Sequence, residues 1–418
     1  MIDRISRLCV IGLGYVGLPT AVAFATNNVE VIGVDVAPER VMAINAGATS
    51  IAEPNLDALL RRAVASGKLR AQQHPTAADA FIIAVPTPLK NGHVPDLSYL
   101  QAASGDLAPV LESGNLVVLE STSPVGTTEL LCQWLSELRP DLSFPHSAGM
   151  ASDIRVAYSA ERVLPGRILA ELVNNDRVIG GVTPACAEAT KTLYGIFLKG
   201  ACSTTDPRTA ELVKLAENAY RDVNIAFANE VASICDYHGV DTWELIELAN
   251  RHPRVDVLGP GPGVGGHCVA VDPWFIVHGA SGLTPLIETA RCVNDARPRK
   301  IVECVIAACK GAFDVDIACL GLSYKADTGD LRESPSILVV QGLQEATSGR
   351  LLVVEPHIQT LPPELTDNAR TELVTLQEAL HSSRVAVLLT DHHEFRALDA
   401  TLLDGKIVVD TRGAWQPR

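Results

Sequence analysis

The sequence predicts an α/β protein with two doubly wound parallel-sheet domains, joined by a helical central segment that contains a long spine helix. Three observations predict it. Short, β-branched apolar runs alternate with helical stretches near both ends of the chain. A glycine-rich turn follows the first of these runs at once. Between the two alternating parts lies a proline-free stretch, residues 209–239, that ends in a glycine. At 418 residues the chain has room for two to three domains, expected here at 1–204, 205–300 and 301–418.

The first elements are the most readable. LCVI (8–11) reads as a buried parallel strand. GLGYVG (12–17) has the G-x-G-x-x-G spacing, and LPTAVAFAT (18–26) continues as a helix with Pro19 in its first turn. VEVIGVD (29–35) is a second strand ending in an acid. In such a Rossmann-like unit Gly12 permits the tight turn, Gly14 lets backbone approach a pyrophosphate, and Gly17 lets helix and strand pack closely. The helix N-terminus offers unpaired N–H groups to phosphate. Asp35 falls where a carboxylate accepts hydrogen bonds from a ribose diol. The same acid repels a 2′-phosphate and so favours NAD, although Arg40 nearby is a group that could accommodate one.

Further strands follow at AFIIAVPTP (80–88) and LVVLESTSPVGTT (116–128), each running into a hydroxyl-rich turn. Ligands bind past the carboxyl ends of strands in doubly wound sheets, which draws attention to Thr87, Thr122 and Thr128. Each could equally be a turn hydroxyl bonded to its own backbone.

On the central helix Lys214, Asn218 and Arg221 stand at i, i+4 and i+7, on one face. They form either a functional stripe or a solvated face with Glu217 and Asp222 as salt-bridge neighbours. From about residue 314 the α/β pattern returns: DIACLGLSYK (316–325), RLLVVEP (350–356), VAVLLTD (385–391) and GKIVVDTRG (405–413) read as strands. DLRESPS (330–336) places Arg332 at a loop-to-helix boundary. Lys325 and Arg332 could offer charge to phosphates or be ordinary surface cations. The two α/β parts look like one architecture used twice.

One segment stands apart. GPGPGVGGHCVAVDPWF (259–275) surrounds Cys268 with prolines and glycines on one side, His267 before it and Asp272 one helical turn after it. A thiol serves as a nucleophile only if it is reachable and can ionise, and a position at a helix N-terminus favours thiolate. Free cysteine is also among the most buried residue types, so a core thiol is the alternative. The ten cysteines form no C-x-x-C pair and no Cys/His cluster with zinc-finger spacing, so reduced thiols and no metal are expected. The formal net charge of −15 argues against general nucleic-acid binding. No charged-then-apolar leader and no membrane-length apolar run stand out, so a cytoplasmic protein is expected.

The motifs VIGLGYVGLP (10–19), AVPTP (84–88), ESTSPVGTTE (120–129), ERVLPG (161–166), TAELVKLAEN (209–218), GVGGHCVAVDP (263–273) and LRESP (331–335) together resemble the UDP-glucose/GDP-mannose dehydrogenase family. NRHPRV (250–255) and the His267–Cys268 pair resemble its N-acetylhexosamine branch, and the chain as a whole is most similar to the bacterial members acting on UDP-N-acetyl-D-mannosamine. The resemblance implies a four-electron oxidation of a sugar C6 alcohol to a carboxylate with two NAD, through a thiohemiacetal and a thioester on Cys268. It implies that Lys214 and Asn218 stabilise oxyanions at C6, and that Asp272, Glu161 and Thr122 position or activate water. It assigns Gly12, Gly14, Tyr15, Val16, Gly17, Asp35, Arg40, Thr87, Thr128 and Arg332 to the cofactor. Arg162, Val163, Arg221, His252, Arg254, Gly265, Tyr324 and Lys325 match substrate positions, together with Lys214 and Asn218. It also implies a homodimer through the long helix.

UDP-N-acetylglucosamine and UDP-glucose are alternative substrates for the same chemistry. A non-catalytic NAD or nucleotide-sugar sensor is the reading from another class, and the joint presence of Cys268, Lys214 and Asp272 weighs against it. Three positions depart from the family pattern: Ala160 and Ala326 where proline is usual, and Gly329 where an acid is common. They touch loop rigidity more than reaction type.

Overall fold

The computed structural model of the protein describes residues 5–51 and 53–415. The central strands of its two larger sheets are short, apolar and buried on both faces, which suits burial between helices rather than one-sided exposure. The first sheet is built from β1 (Arg7–Ile11), β2 (Glu30–Val34), β3 (Leu69–Gln72) and β4 (Ala80–Ile83). A small antiparallel hairpin, β5 (Leu89–Lys90) and β6 (Val94–Pro95), interrupts the series before β7 (Leu116–Leu119), β8 (Arg155–Tyr158), β9 (Arg177–Gly181) and β10 (Cys202–Thr205).

The strand order is β10-β9-β8-β7-β4-β1-β2-β3. All pairings are parallel except β8 with β9. Leu8 and Val10 point into the core on one face, and Cys9 and Ile11 into the core on the other. The order reverses between β1 and β4, which opens a crevice just past their carboxyl ends.

The second sheet comprises β11 (Ile317–Leu320), β12 (Leu351–Val354), β13 (Thr371–Leu373), β14 (Val385–Leu388) and β15 (Ile407–Asp410). It is wholly parallel, in the order β13-β12-β11-β14-β15. Here too the order reverses beside the first strand. The repeat extends to detail. Gly12 after β1 and Gly321 after β11 both adopt positive φ, +92° and +94°. Each donates its N–H to the last residue of the neighbouring second strand at 2.8 Å, Gly12 to Val34 and Gly321 to Val354.

The spine helix runs from Pro207 to His238, two residues earlier at its start than the proline-free stretch suggests. Packing divides the chain into two units within this helix, between Glu217 and Asn218, with Trp274–Gly279 belonging to the first unit. In the second-unit part of the helix Tyr220, Phe227 and Ile234 are exposed. Their seven-residue spacing puts them on one stripe. No helix among the described residues is long and apolar enough to cross a membrane.

Candidate active site

The glycine loop of the first sheet separates packing from vacancy. A Cβ on Gly12 would lie 2.6 Å from the Ala84 carbonyl oxygen, and one on Gly17 would lie 1.8 Å from the carbonyl oxygen of Gly12. A Cβ on Gly14 would meet nothing within 4 Å. Gly12 and Gly17 are therefore demanded by the fold, whereas Gly14 borders open space of the kind a pyrophosphate needs. The loop fits a dinucleotide, with the N-terminus of helix Gly17–Thr26 behind it.

Asp35 closes the loop by accepting hydrogen bonds from the backbone N–H groups of Leu13 and Ala37, both at 3.0 Å. Arg40 pairs with the same carboxylate at 2.9 Å, with its side chain half exposed. The arginine is thus held by the acid that disfavours a 2′-phosphate. Tyr15 and Val16 are half-buried within the loop.

The hydroxyl-rich turns are anchored from elsewhere in the fold. Thr87 donates its hydroxyl to the Thr122 carbonyl at 2.6 Å, joining the loops after β4 and β7. Thr128 is fully buried, and its N–H and hydroxyl both donate to Glu211 of the spine helix, at 2.8 and 2.6 Å. The Gly126 N–H donates to the other Glu211 oxygen at 2.6 Å. This acid therefore occupies the start of helix Thr127–Leu138. Burial raises its carboxyl above the ordinary range. Sequence reasoning passed over Glu211, although it stands three residues before Lys214.

Loop 161–166 shows a similar arrangement. Its three available N–H groups from Val163 onward donate to carboxylates: Val163 to Glu161 at 2.6 Å, Leu164 to Glu171 at 2.8 Å and Gly166 to Glu53 at 2.8 Å. Lys214 is buried and donates its ammonium to the Glu161 carbonyl at 2.8 Å, with the Glu161 carboxylate 3.9 Å away. Arg162 pairs with Glu217. Of the two acids that a solvated face would have used as salt-bridge neighbours, Glu217 holds Arg162 and Asp222 is buried against Arg291 at 2.6 Å. Along the stripe, Lys214 is buried, Asn218 half-buried and Arg221 exposed.

Cys268 is half-buried in a turn. Its carbonyl accepts the N–H groups of Val271 and Asp272 at 3.0 and 2.8 Å, and the helix proper is Asp272–Gly279. The thiol lies four residues before that start rather than in its first turn, because the intervening residues form the lead-in turn. Asp272 is buried and accepts a hydrogen bond from the Asn218 amide at 2.5 Å. Burial pushes the thiols of Cys9 and Cys319 up to about 12.

The glycines before Cys268 pack against protein. A Cβ on Gly265 would lie 2.6 Å from both the Glu333 carbonyl oxygen and the Tyr324 Cβ, and one on Gly266 would lie 2.9 Å from the Tyr324 ring. The Gly266 N–H donates to the Arg332 carbonyl at 3.1 Å. Tyr324 and the loop around Arg332 therefore shape the cysteine loop directly. Arg332 forks onto Asp330 at 2.8 and 2.5 Å. Lys325 is half-buried, while His252 and Arg254 are exposed, with His252 Nδ1 accepting the Arg254 N–H at 3.3 Å. Two further cations lie against this loop: Arg297 donates to the Gly261 carbonyl at 3.1 Å, and a Cβ on Gly261 would lie 2.7 Å from the Arg412 guanidinium. Both were missed in sequence because nothing local connects them to residues 259–268.

Asp327, His357 and His392 bring one donor atom each within 4.8 Å of one another. His392 Nδ1 already accepts the Asp327 N–H at 2.9 Å, and its Nε2 faces Glu355 at 3.0 Å and Ser323 at 3.2 Å. Arg396 also touches Asp327. With both ring nitrogens engaged and a cation beside the acid, the group reads as a hydrogen-bond network rather than a metal centre.

Comparison with known proteins agrees with this geometry. Three family models match in order: the NAD binding domain of the UDP-glucose/GDP-mannose dehydrogenase family over residues 6–198, its central domain over 208–296 and its UDP binding domain over 318–417. The chain belongs to the UDP-glucose/GDP-mannose dehydrogenase family. Within this dehydrogenase family it is 56% identical, over 98% of this chain and 96% of the relative, to an NDP-N-acetyl-D-galactosaminuronic acid dehydrogenase of Ralstonia nicotianae. It is 53% identical, over 98% and 99%, to a UDP-N-acetyl-D-mannosamine dehydrogenase of Yersinia pestis. Among solved structures of the family, the UDP-D-ManNAc dehydrogenase of Pyrococcus horikoshii superposes with a TM-score of 0.89 at 36% identity, over 99% of this chain and 96% of that one.

Proposed function

We propose that the protein is a cytoplasmic, NAD-dependent 6-dehydrogenase of UDP-N-acetyl-D-mannosamine that delivers the uronate for surface polysaccharide synthesis. The observation that carries the reading is the Cys268 turn. It joins a half-buried thiol to Asp272 held by Asn218, within a chain that is 53% identical to an enzyme of that name. The higher identity to an N-acetyl-D-galactosaminuronic acid dehydrogenase supports a second reading: the galactosamine epimer as substrate for the same chemistry. The three-part organisation, a cofactor domain (1–204), a central helical domain (205–300) and a UDP-sugar domain (301–418), belongs to the proposal.

NAD, when bound, supplies the hydride acceptor for each of the two oxidations. Gly14 would leave room for its pyrophosphate, and Asp35 would hold its ribose. Cys268 thiolate adds to the C6 aldehyde and gives a thiohemiacetal, which keeps the intermediate from escaping before the second oxidation. The resulting thioester is hydrolysed to carboxylate, returning the thiol. Lys214 supplies positive charge to the oxygen as negative charge develops there, with Asn218 as hydrogen-bond donor. Asp272, Glu161 and Thr122 orient or activate the hydrolytic water. Arg162, Val163, Arg221, His252, Arg254, Gly265, Tyr324 and Lys325 would contact the UDP-sugar, and Arg332 would contact the cofactor.

The active species is a homodimer through the spine helix, a reading supported by the Tyr220–Phe227–Ile234 stripe. NADH release across a panel of UDP-sugars tests the substrate. Turnover of UDP-N-acetyl-D-mannosamine well above its epimers and UDP-glucose is expected, whereas turnover of UDP-glucose alone overturns the assignment.

A further inference from the structure

His93 holds an unusual position. It sits at the tip of the β5–β6 hairpin, between Lys90 and Val94, which pair directly. Gly92 and His93 both adopt positive φ, +76° and +59°. A non-glycine residue in that region is strained, although histidine is among the residues that tolerate it. The hairpin is braced at its base by the Asp96 N–H on the Pro88 carbonyl at 2.8 Å and by Lys90 with Asp96 at 2.9 Å. It leaves the β4 loop immediately after Thr87, whose hydroxyl bonds the Thr122 carbonyl.

The ring at this tip lies flat on an indole. His93 and Trp274 stack with centroids 3.7 Å apart and planes 5° from parallel. His93 is exposed, and Trp274 beneath it is 8% exposed. Trp274 is the third residue of the helix Asp272–Gly279, and the preceding turn carries Cys268. The helix is only eight residues long and has few internal bonds to fix its position. A flat stack close to van der Waals contact restrains both translation and roll of its first turn.

We infer that His93 is a positioning residue: by stacking on Trp274 it ties the helix that begins at Asp272 to the hairpin that extends the Thr87 loop. This rests on the proposed roles of Cys268 and Asp272. Removing the ring lets the first turn shift, and misplacement on the ångström scale is enough to slow a reaction that depends on near-attack geometry.

The test compares His93→Ala and His93→Phe with the full-length wild-type protein. Three quantities are read: steady-state kcat and KM for NAD and for the UDP-sugar, thermal midpoint, and the rate at which iodoacetamide alkylates Cys268, followed on its peptide by mass spectrometry. His93→Ala is expected to lower kcat about tenfold with both KM values and the midpoint little changed, and to alter the alkylation rate. His93→Phe, which keeps a flat ring, is expected to restore kcat and alkylation towards wild type. Unchanged kcat and alkylation in His93→Ala would overturn the inference, as would failure of the phenylalanine to rescue. The alkylation rate needs no turnover, so it separates this inference from the proposed function, which fails instead if Cys268→Ala is active.

Discussion

Glu355 stands in the second sheet where Asp35 stands in the first. Each follows the second strand of its sheet, and each accepts the backbone N–H of the residue after the turn glycine: Leu13 to Asp35 at 3.0 Å, Leu322 to Glu355 at 2.7 Å. In the second sheet the acid is fully committed. It also accepts the Ser323 N–H at 3.0 Å and faces His392 at 3.0 Å. One architecture thus carries two uses of the same position, one left near a nucleotide crevice and one turned into an internal network.

The glycine loop makes a separable prediction. Gly14→Ala should fold with an unchanged thermal midpoint, since its Cβ meets nothing within 4 Å, and should raise KM for NAD about tenfold or more through lost pyrophosphate approach. Gly17→Ala should destabilise the fold by about 1–3 kcal/mol or prevent folding, because its Cβ would sit 1.8 Å from a carbonyl oxygen. Thermal melts and NAD titrations distinguish the two; equal effects on stability would contradict the assignment.

Glu211→Ala removes the acceptor of three hydrogen bonds at the start of helix Thr127–Leu138. Buried donors left without a partner cost about 1–3 kcal/mol each, so a loss of about 3 kcal/mol is expected in denaturant unfolding. A change below about 0.5 kcal/mol would show that water or another group replaces the carboxylate.

Asp330 carries a pH dependence. Burial pushes its carboxyl up, but the hydrogen bonds and charge of Arg332, with the charge of His267, outweigh burial and hold it below its ordinary 3.8. A depressed folded-state value contributes stability above 3.8 that is lost as pH falls through the folded value. Asp330→Asn should therefore flatten the acid limb of stability in that range and leave the neutral-to-alkaline limb unchanged in shape. Chemical denaturation at a series of pH values reads this directly.

Phe227 lies at the middle of the exposed stripe on the spine helix. If that stripe joins two copies, Phe227→Asp should shift the protein from dimer to monomer in sedimentation velocity while far-ultraviolet circular dichroism stays the same. A wild-type protein that sediments as a monomer would refute the interface.

Much of this was legible in the sequence for a physical reason. The G-x-G-x-x-G loop, the flanking strands and the spine helix announce themselves by local spacing, and the second α/β repeat by its apolar runs. The β5–β6 hairpin was not legible, since Leu89–Lys90 and Val94–Pro95 are too short to carry a period. Nor were the acids Glu53, Glu171 and Glu211, whose roles exist only once distant backbone amides are brought to them. The glycines before Cys268 stand out in the sequence beside a candidate nucleophile, yet two of them, Gly265 and Gly266, pack closely against Tyr324 and Glu333. A glycine marks close approach without saying what approaches.

The central claim is that one thiol carries a four-electron oxidation. The most direct measurement is the ratio of NADH formed to UDP-uronate formed, from purified enzyme with UDP-N-acetyl-D-mannosamine, for wild type and Cys268→Ala. The account predicts two NADH per uronate in the wild type and no uronate from Cys268→Ala, whose NAD affinity is retained. Uronate production by Cys268→Ala at the wild-type rate, or one NADH per sugar with free aldehyde as the end product, would contradict it.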